Sequence, residues 1–126
     1  MKQLLKLTGC LAVAGLFVSC QSVQQEANYQ VIPLPQEIVV EQGVPFILKS
    51  GVKILYPEGN EKMQRNAKFL ADYLKTATGK DFTIEAGTEG KNAIILALGT
   101  ENENPEAYQL KVAGDGVTIT GSTEAG

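Results

Sequence analysis

Asn60-Glu-Lys-Met-Gln-Arg-Asn-Ala-Lys-Phe-Leu-Ala-Asp-Tyr-Leu-Lys-Thr-Ala-Thr-Gly79 is the stretch whose reading decides how this chain folds. Met63, Ala67, Leu70, Ala71, Leu74 and Ala77 recur at three- and four-residue steps. On a helical wheel they fall inside a sector of roughly 120°, the width of a core-facing stripe. Glu61, Gln64, Arg65, Lys68, Asp72 and Lys75 fall on the opposite side. Asn60 is a preferred N-cap, and Glu61 sits where a first-turn acid suits the positive end of the helix. Gly79 supplies a left-handed stop, with Lys75 and Lys80 near the negative end. The spacing therefore predicts one long amphipathic helix, and the remaining apolar residues form short runs that need a cover.

The first residues have a different character. Lys2 and Lys6 form a positive start, and Leu11 to Val18 form an apolar run too short to span a bilayer. Two cysteines compete as a lipoprotein processing site, in Leu7-Thr8-Gly9-Cys10 and Phe17-Val18-Ser19-Cys20. An apolar signal core needs roughly 7–15 residues, and only Cys20 has such a run before it. The expectation is a lipoprotein signal peptide over 1–19, lipid attachment at Cys20 and a Gln-rich flexible tether over 20–30. An ordinary secretory signal with a chance cysteine is the alternative.

This processing would leave the mature chain without a thiol. The 126 residues also contain no histidine. His- or Cys-based metal sites and Ser-His or Cys-His nucleophile pairs are thereby excluded from the mature chain. Loss of Lys2 and Lys6 leaves nine of the 11 basic residues against 14 acidic ones, a formal balance of −5. Nothing in this pattern suits nucleic acid, and no cofactor is expected.

Along the rest of the chain, strands are expected wherever apolar residues alternate. These are Gln36 to Glu41, a short run around Phe46 and Leu48, Val52 to Tyr56, Phe82 to Glu85, Tyr108 to Val112, and the return through Val117 and Ile119. Gly114-Asp115-Gly116 makes the last two a hairpin. Ala93 to Leu98 is apolar on both faces and reads as a central strand covered on both sides. About seven strands and one helix result, in an α+β domain over 31–126.

One helix is about 10 Å across and strands lie about 4.8 Å apart, so one helix covers two or three strands. A second cover is missing. Ser122 or Thr123 is a preferred N-cap, and Glu124 sits where a first-turn acid belongs. We expect a second helix to begin there and the 126-residue chain to be a truncated product of a longer polypeptide. Sheet surface beside Leu70 and Leu74 would then lie uncovered.

Four stretches together resemble the N-terminal domain of family 20 glycoside hydrolases, the β-N-acetylhexosaminidases. They are Val31-Ile32-Pro33-Leu34-Pro35-Gln36-Glu37-Ile38, the helix closing in Thr78-Gly79, Glu106-Ala107-Tyr108-Gln109-Leu110, and Val117-Thr118-Ile119-Thr120-Gly121-Ser122-Thr123-Glu124-Ala125-Gly126. The resemblance implies a mostly antiparallel sheet with two helices on one face, followed by a (β/α)8 barrel that performs the chemistry. In that barrel an adjacent Asp-Glu pair assists the substrate's acetamido group, in a substrate-assisted scheme. No Asp-Glu dipeptide occurs here, so no catalytic residue carries over. The resemblance also implies a cell-envelope lipoprotein of a Gram-negative bacterium, facing either the periplasm or the outer surface. Two alternatives are the equivalent domain of an O-linked N-acetylglucosamine hydrolase or α-glucuronidase, and a stand-alone glycan-binding surface lipoprotein.

Three other features invite a functional reading and have a plainer one. Glu101, Glu103 and Glu106 share a loop, but its Asn102, Asn104 and Pro105 favour solvated carboxylates over an acid–base or calcium site. Gly87-Thr88-Glu89-Gly90-Lys91 lacks the length, and the following helix, of a phosphate-binding loop. Phe69 and Tyr73 lie beside the helix stripe, and are read as packing on the sheet margin in preference to meeting a neighbouring domain.

Overall fold

The computed structural model describes residues 28–100 and 102–126. These fall into two units, one ending at Val39 and one running Val40–Gly126. Residues 28–39 contain neither helix nor strand.

The second unit carries six elements: β1 (Lys53–Tyr56), α1 (Glu61–Thr78), β2 (Thr83–Ala86), β3 (Ala93–Leu98), β4 (Tyr108–Ala113) and β5 (Gly116–Gly121). Among the described residues there are thus five strands, not about seven. No strand forms at Gln36–Glu41, where Ile38 and Val40 are exposed and so have no buried face to hold an alternating ribbon. None forms at Phe46–Leu48 either, although Phe46 and Leu48 pack against the core. Alternation marks which side chains turn inward, whereas a strand also needs a free edge to bond to.

Strand direction also differs from the expectation. The order is β2-β1-β3-β5-β4. β1 pairs in parallel with β2 and with β3, and β3 pairs in parallel with β5. Only the β4–β5 hairpin is antiparallel. The sheet is therefore mixed and mostly parallel. The cause is connectivity. α1 returns the chain to the starting end of β1 before β2 begins, so β2 must run the same way. The short segment from Gly87 to Asn92 does the same between β2 and β3. In this segment Gly87 and Gly90 lie against the Leu55 side chain. It therefore crosses the face of the sheet opposite α1 and covers Leu55. This is why neighbouring Ile54 and Leu55, which point to opposite faces, are both buried.

α1 forms where its pattern predicts. Asn60 Oδ1 accepts from the backbone N–H groups of Lys62 (3.1 Å) and Met63 (3.0 Å). Gly79 closes the helix at φ 70°, a left-handed conformation that costs glycine no steric penalty. Its N–H donates to Lys75 O at 2.8 Å. Met63, Ala67 and Ala71 are buried and Leu70 and Leu74 half-buried, while Ala77 is exposed beyond the reach of the sheet.

Beneath the helix, in-register pairing lines up Ile84, Ile54, Ile94, Val117 and Val112 across all five strands. Burial follows the cover. Ile54 is fully buried and Ile94 nearly so, Val117 is half-buried, and Val112 is 58% exposed. A second row runs Leu96, Ile119, Leu110, and Leu110 at its far end is 55% exposed. α1 packs on β1 and β2. Apolar sheet surface is exposed over β4 and the outer side of β5, and not beside Leu70 and Leu74 as expected, since both pack against the core.

Ile54 sits at the centre of the core, so its truncation leaves a cavity that no neighbour fills. Ile54→Ala is expected to destabilise the domain by about 3–4 kcal/mol, read as a lower midpoint in urea denaturation with little change in slope.

Candidate functional site

The most densely bonded polar region joins the start of α1 to Gly121-Ser122-Thr123-Glu124-Ala125-Gly126. Parallel pairing makes them meet. α1 starts where β1 ends, and this segment starts where the parallel strand β5 ends. Asn60 Nδ2 donates to Glu124 Oε1 at 3.2 Å. Asn66 Nδ2 donates to the Glu124 carbonyl at 2.8 Å. Lys62 Nζ lies 3.9 Å from Glu124 Oε2. The Glu124 carboxyl is held below the usual glutamate range, first by its own backbone N–H, then by the Asn60 amide and the Lys62 ammonium.

The same turn is tied from its other side. Ser122 N–H donates to Ala107 O at 2.8 Å, and Thr123 Oγ1 donates to Pro105 O at 2.8 Å. The hydroxyls of Thr100 and Ser122 are hydrogen-bonded to each other. Thr123 Oγ1 also accepts from Ala125 N–H at 3.1 Å, and Thr123 O accepts from Gly126 N–H at 3.2 Å. These bonds close a single turn over Thr123–Gly126, and the second helix expected to begin at Ser122 or Thr123 is not present among the described residues. Gly126 needs to be glycine because a Cβ would strike the Ala107 carbonyl. A shallow depression of about 340 Å³ is lined by Lys62, Arg65, Asn66, Thr123, Glu124 and Ala125. It contains two cations and one carboxylate already engaged by Asn60, and holds no nucleophile with an adjacent base.

The other candidates take their plainer reading, with one exception. Cys20 and Glu101 lie outside the described residues. Glu103 and Glu106 are exposed. Their loop is shaped by Asn102 and Asn104, whose Oδ1 atoms accept from Asn104 N–H (2.9 Å) and Glu106 N–H (3.0 Å). The loop from Gly87 to Lys91 is the cover over Leu55. Among the described residues no group of three or more His, Cys, Asp or Glu side chains converges. The exception is the aromatic pair. Phe69 and Tyr73 do not pack on the sheet margin but are 74% and 65% exposed on the flank of α1. A helical wheel places them too far from the core-facing stripe to reach the sheet. The Asn60–Glu124 contact was not foreseen, because nothing local signals a bond between residues 64 apart.

The fold and this tied turn define a small mixed α+β domain with a structural clasp. Residues 28–126 match the family model "Glycosyl hydrolase family 20, domain 2", and the chain belongs to that family. Among solved structures, the chain is similar to the GH20 β-N-acetylhexosaminidase from Streptomyces coelicolor A3(2), at 32% sequence identity and a TM-score of 0.66. The alignment covers 78% of this chain and 19% of that one, so the present chain spans about a fifth of the hexosaminidase. No curated protein sequence matches it.

Ionised Glu124 should support the clasp. Because its pKa is depressed on folding, that support is present above the usual glutamate value of 4.5 and is lost as pH falls through the lower folded value. In chemical denaturation, the stability advantage of wild type over Glu124→Gln is expected at neutral pH and should shrink steadily below about pH 4.5.

Proposed function

We propose that this chain is the non-catalytic N-terminal domain of a lipid-anchored β-N-acetylhexosaminidase. In this reading the whole protein removes terminal N-acetylhexosamine from glycans, and a catalytic (β/α)8 barrel of the same polypeptide does the chemistry. The match of residues 28–126 to domain 2 of family 20 carries the proposal. The similarity to a β-N-acetylhexosaminidase of which this chain covers 19% supports it. So does the open half of the sheet, since Tyr108, Leu110 and Val112 all show more than half of their surface to solvent. A patch of this kind in a small domain marks a surface that something else covers. A second helix starting from the Thr123 turn, parallel to α1, would cover it.

The role of the domain is then structural. It supports the barrel and spaces it from the membrane. Turnover of 4-nitrophenyl N-acetyl-β-glucosaminide distinguishes the parts. The 126-residue chain should be inactive, and the longer product of the same gene should be active. Turnover by the 126-residue chain would overturn the non-catalytic assignment.

The anchor is placed at Cys20, in the cell envelope of a Gram-negative bacterium. Its support is the order of Lys2, Lys6, the apolar run Leu11 to Val18, and Cys20. Stable attachment takes more than one acyl chain, which a modified bacterial lipoprotein cysteine provides. Cys20→Ala should move the protein from the membrane fraction to the soluble fraction. An unchanged distribution would remove the anchor from the proposal.

A further inference from the structure

The amide of Asn60 faces two ways. Its oxygen accepts from Lys62 and Met63 N–H at the start of α1. Its nitrogen donates to Glu124 Oε1, which belongs to the turn leaving β5. An amide can do both at once because one end only accepts and the other only donates. Asp would cap the helix about as well but has no donor to offer a carboxylate, and Ser has one O–H on a shorter side chain that ends at the capping oxygen. Asn66, nearly two helical turns later, gives its side-chain N–H to the Glu124 backbone carbonyl. Lys62, between the two, faces the same carboxylate.

We propose that Asn60 is a positioning residue, and that its amide joins the start of α1 to the turn at Glu124 and so fixes the direction in which the polypeptide leaves the sheet. Capping alone would leave the turn tied to the β4 side by Ala107 and Pro105 and to α1 by Asn66 and Lys62 only. With the joint, a rigid helix seated on β1 and β2 sets the direction. The inference stands whether or not a barrel follows, so its failure and the failure of the hexosaminidase reading are separate events.

The proposal reverses an ordinary expectation. Asn60→Asp exchanges one good N-cap for another and adds a negative charge at the positive end of α1, so capping alone predicts a neutral or stabilising effect. With the joint, the new carboxylate faces that of Glu124. Two like charges about 4 Å apart in water repel enough to shift an equilibrium about fivefold.

The test is hydrogen exchange followed by mass spectrometry on the 126-residue chain at pH 7. Asn60→Asp should raise the opening equilibrium of residues 122–126 about fivefold, and in a Glu124→Gln background the same change should have no such effect. Asn60→Ser retains a capping oxygen, so it should leave protection of the α1 interior intact while loosening 122–126. If Asn60→Asp leaves 122–126 as protected as in wild type, the proposal is overturned. It is also overturned if Glu124→Gln does not abolish the effect, because the cause would then be something other than this contact.

Discussion

Everything else in this domain depends on the parallel alignment of β1 with both β2 and β3 beneath α1. It places Ile54 between Ile84 and Ile94 in one row and buries it fully. It also fixes the direction of α1, which must return the chain to the end of the sheet where β1 began. The helix therefore starts at the opposite end, where the parallel strands finish. Asn60 and the turn after Gly121 meet there for the same reason, although Asn60 and Glu124 are 64 residues apart. The clasp is thus a consequence of strand direction, with Asn60 and Asn66 supplying the donors.

The two faces of the sheet are covered by unlike means. On one face α1 lies over β1 and β2. On the other, the short run from Gly87 to Asn92 crosses over Leu55, with Gly90 so close that a Cβ would come within 3.0 Å of the leucine side chain. A small residue there lets a loop take the place of a covering helix. Burial then falls away toward β4, where the apolar row continues without a cover. The same face is a core at one side and a surface at the other.

The polar bonds around Glu124 tie its carboxylate to Asn60 and Lys62 and its backbone carbonyl to Asn66, and the exposed carboxylates of Glu103 and Glu106 stand on a loop shaped by asparagines. Two ion pairs elsewhere, Lys53–Glu85 at 2.9 Å and Lys75–Asp81 at 2.6 Å, lie on the surface, where such pairs contribute little.

The sequence by itself determined the local elements. Apolar spacing from Met63 to Leu74 set the buried stripe of α1, Asn60 and Gly79 set its ends, and alternation set β1, β2, β4 and β5 to within a residue or two. The both-faces apolar run of Ala93 to Leu98 marked the centre of the sheet. Even the missing cover was countable, because helix width and strand spacing are constants of the backbone. Only the tertiary structure decided which edges pair and in which direction. A period of two tells which face a side chain occupies, and that is the same in parallel and antiparallel ladders. For that reason the sheet expected to be mostly antiparallel is mostly parallel, and the runs at Ile38 and Phe46 form no ladder. The amide of Asn60 likewise gained a second partner that its own neighbourhood could not announce.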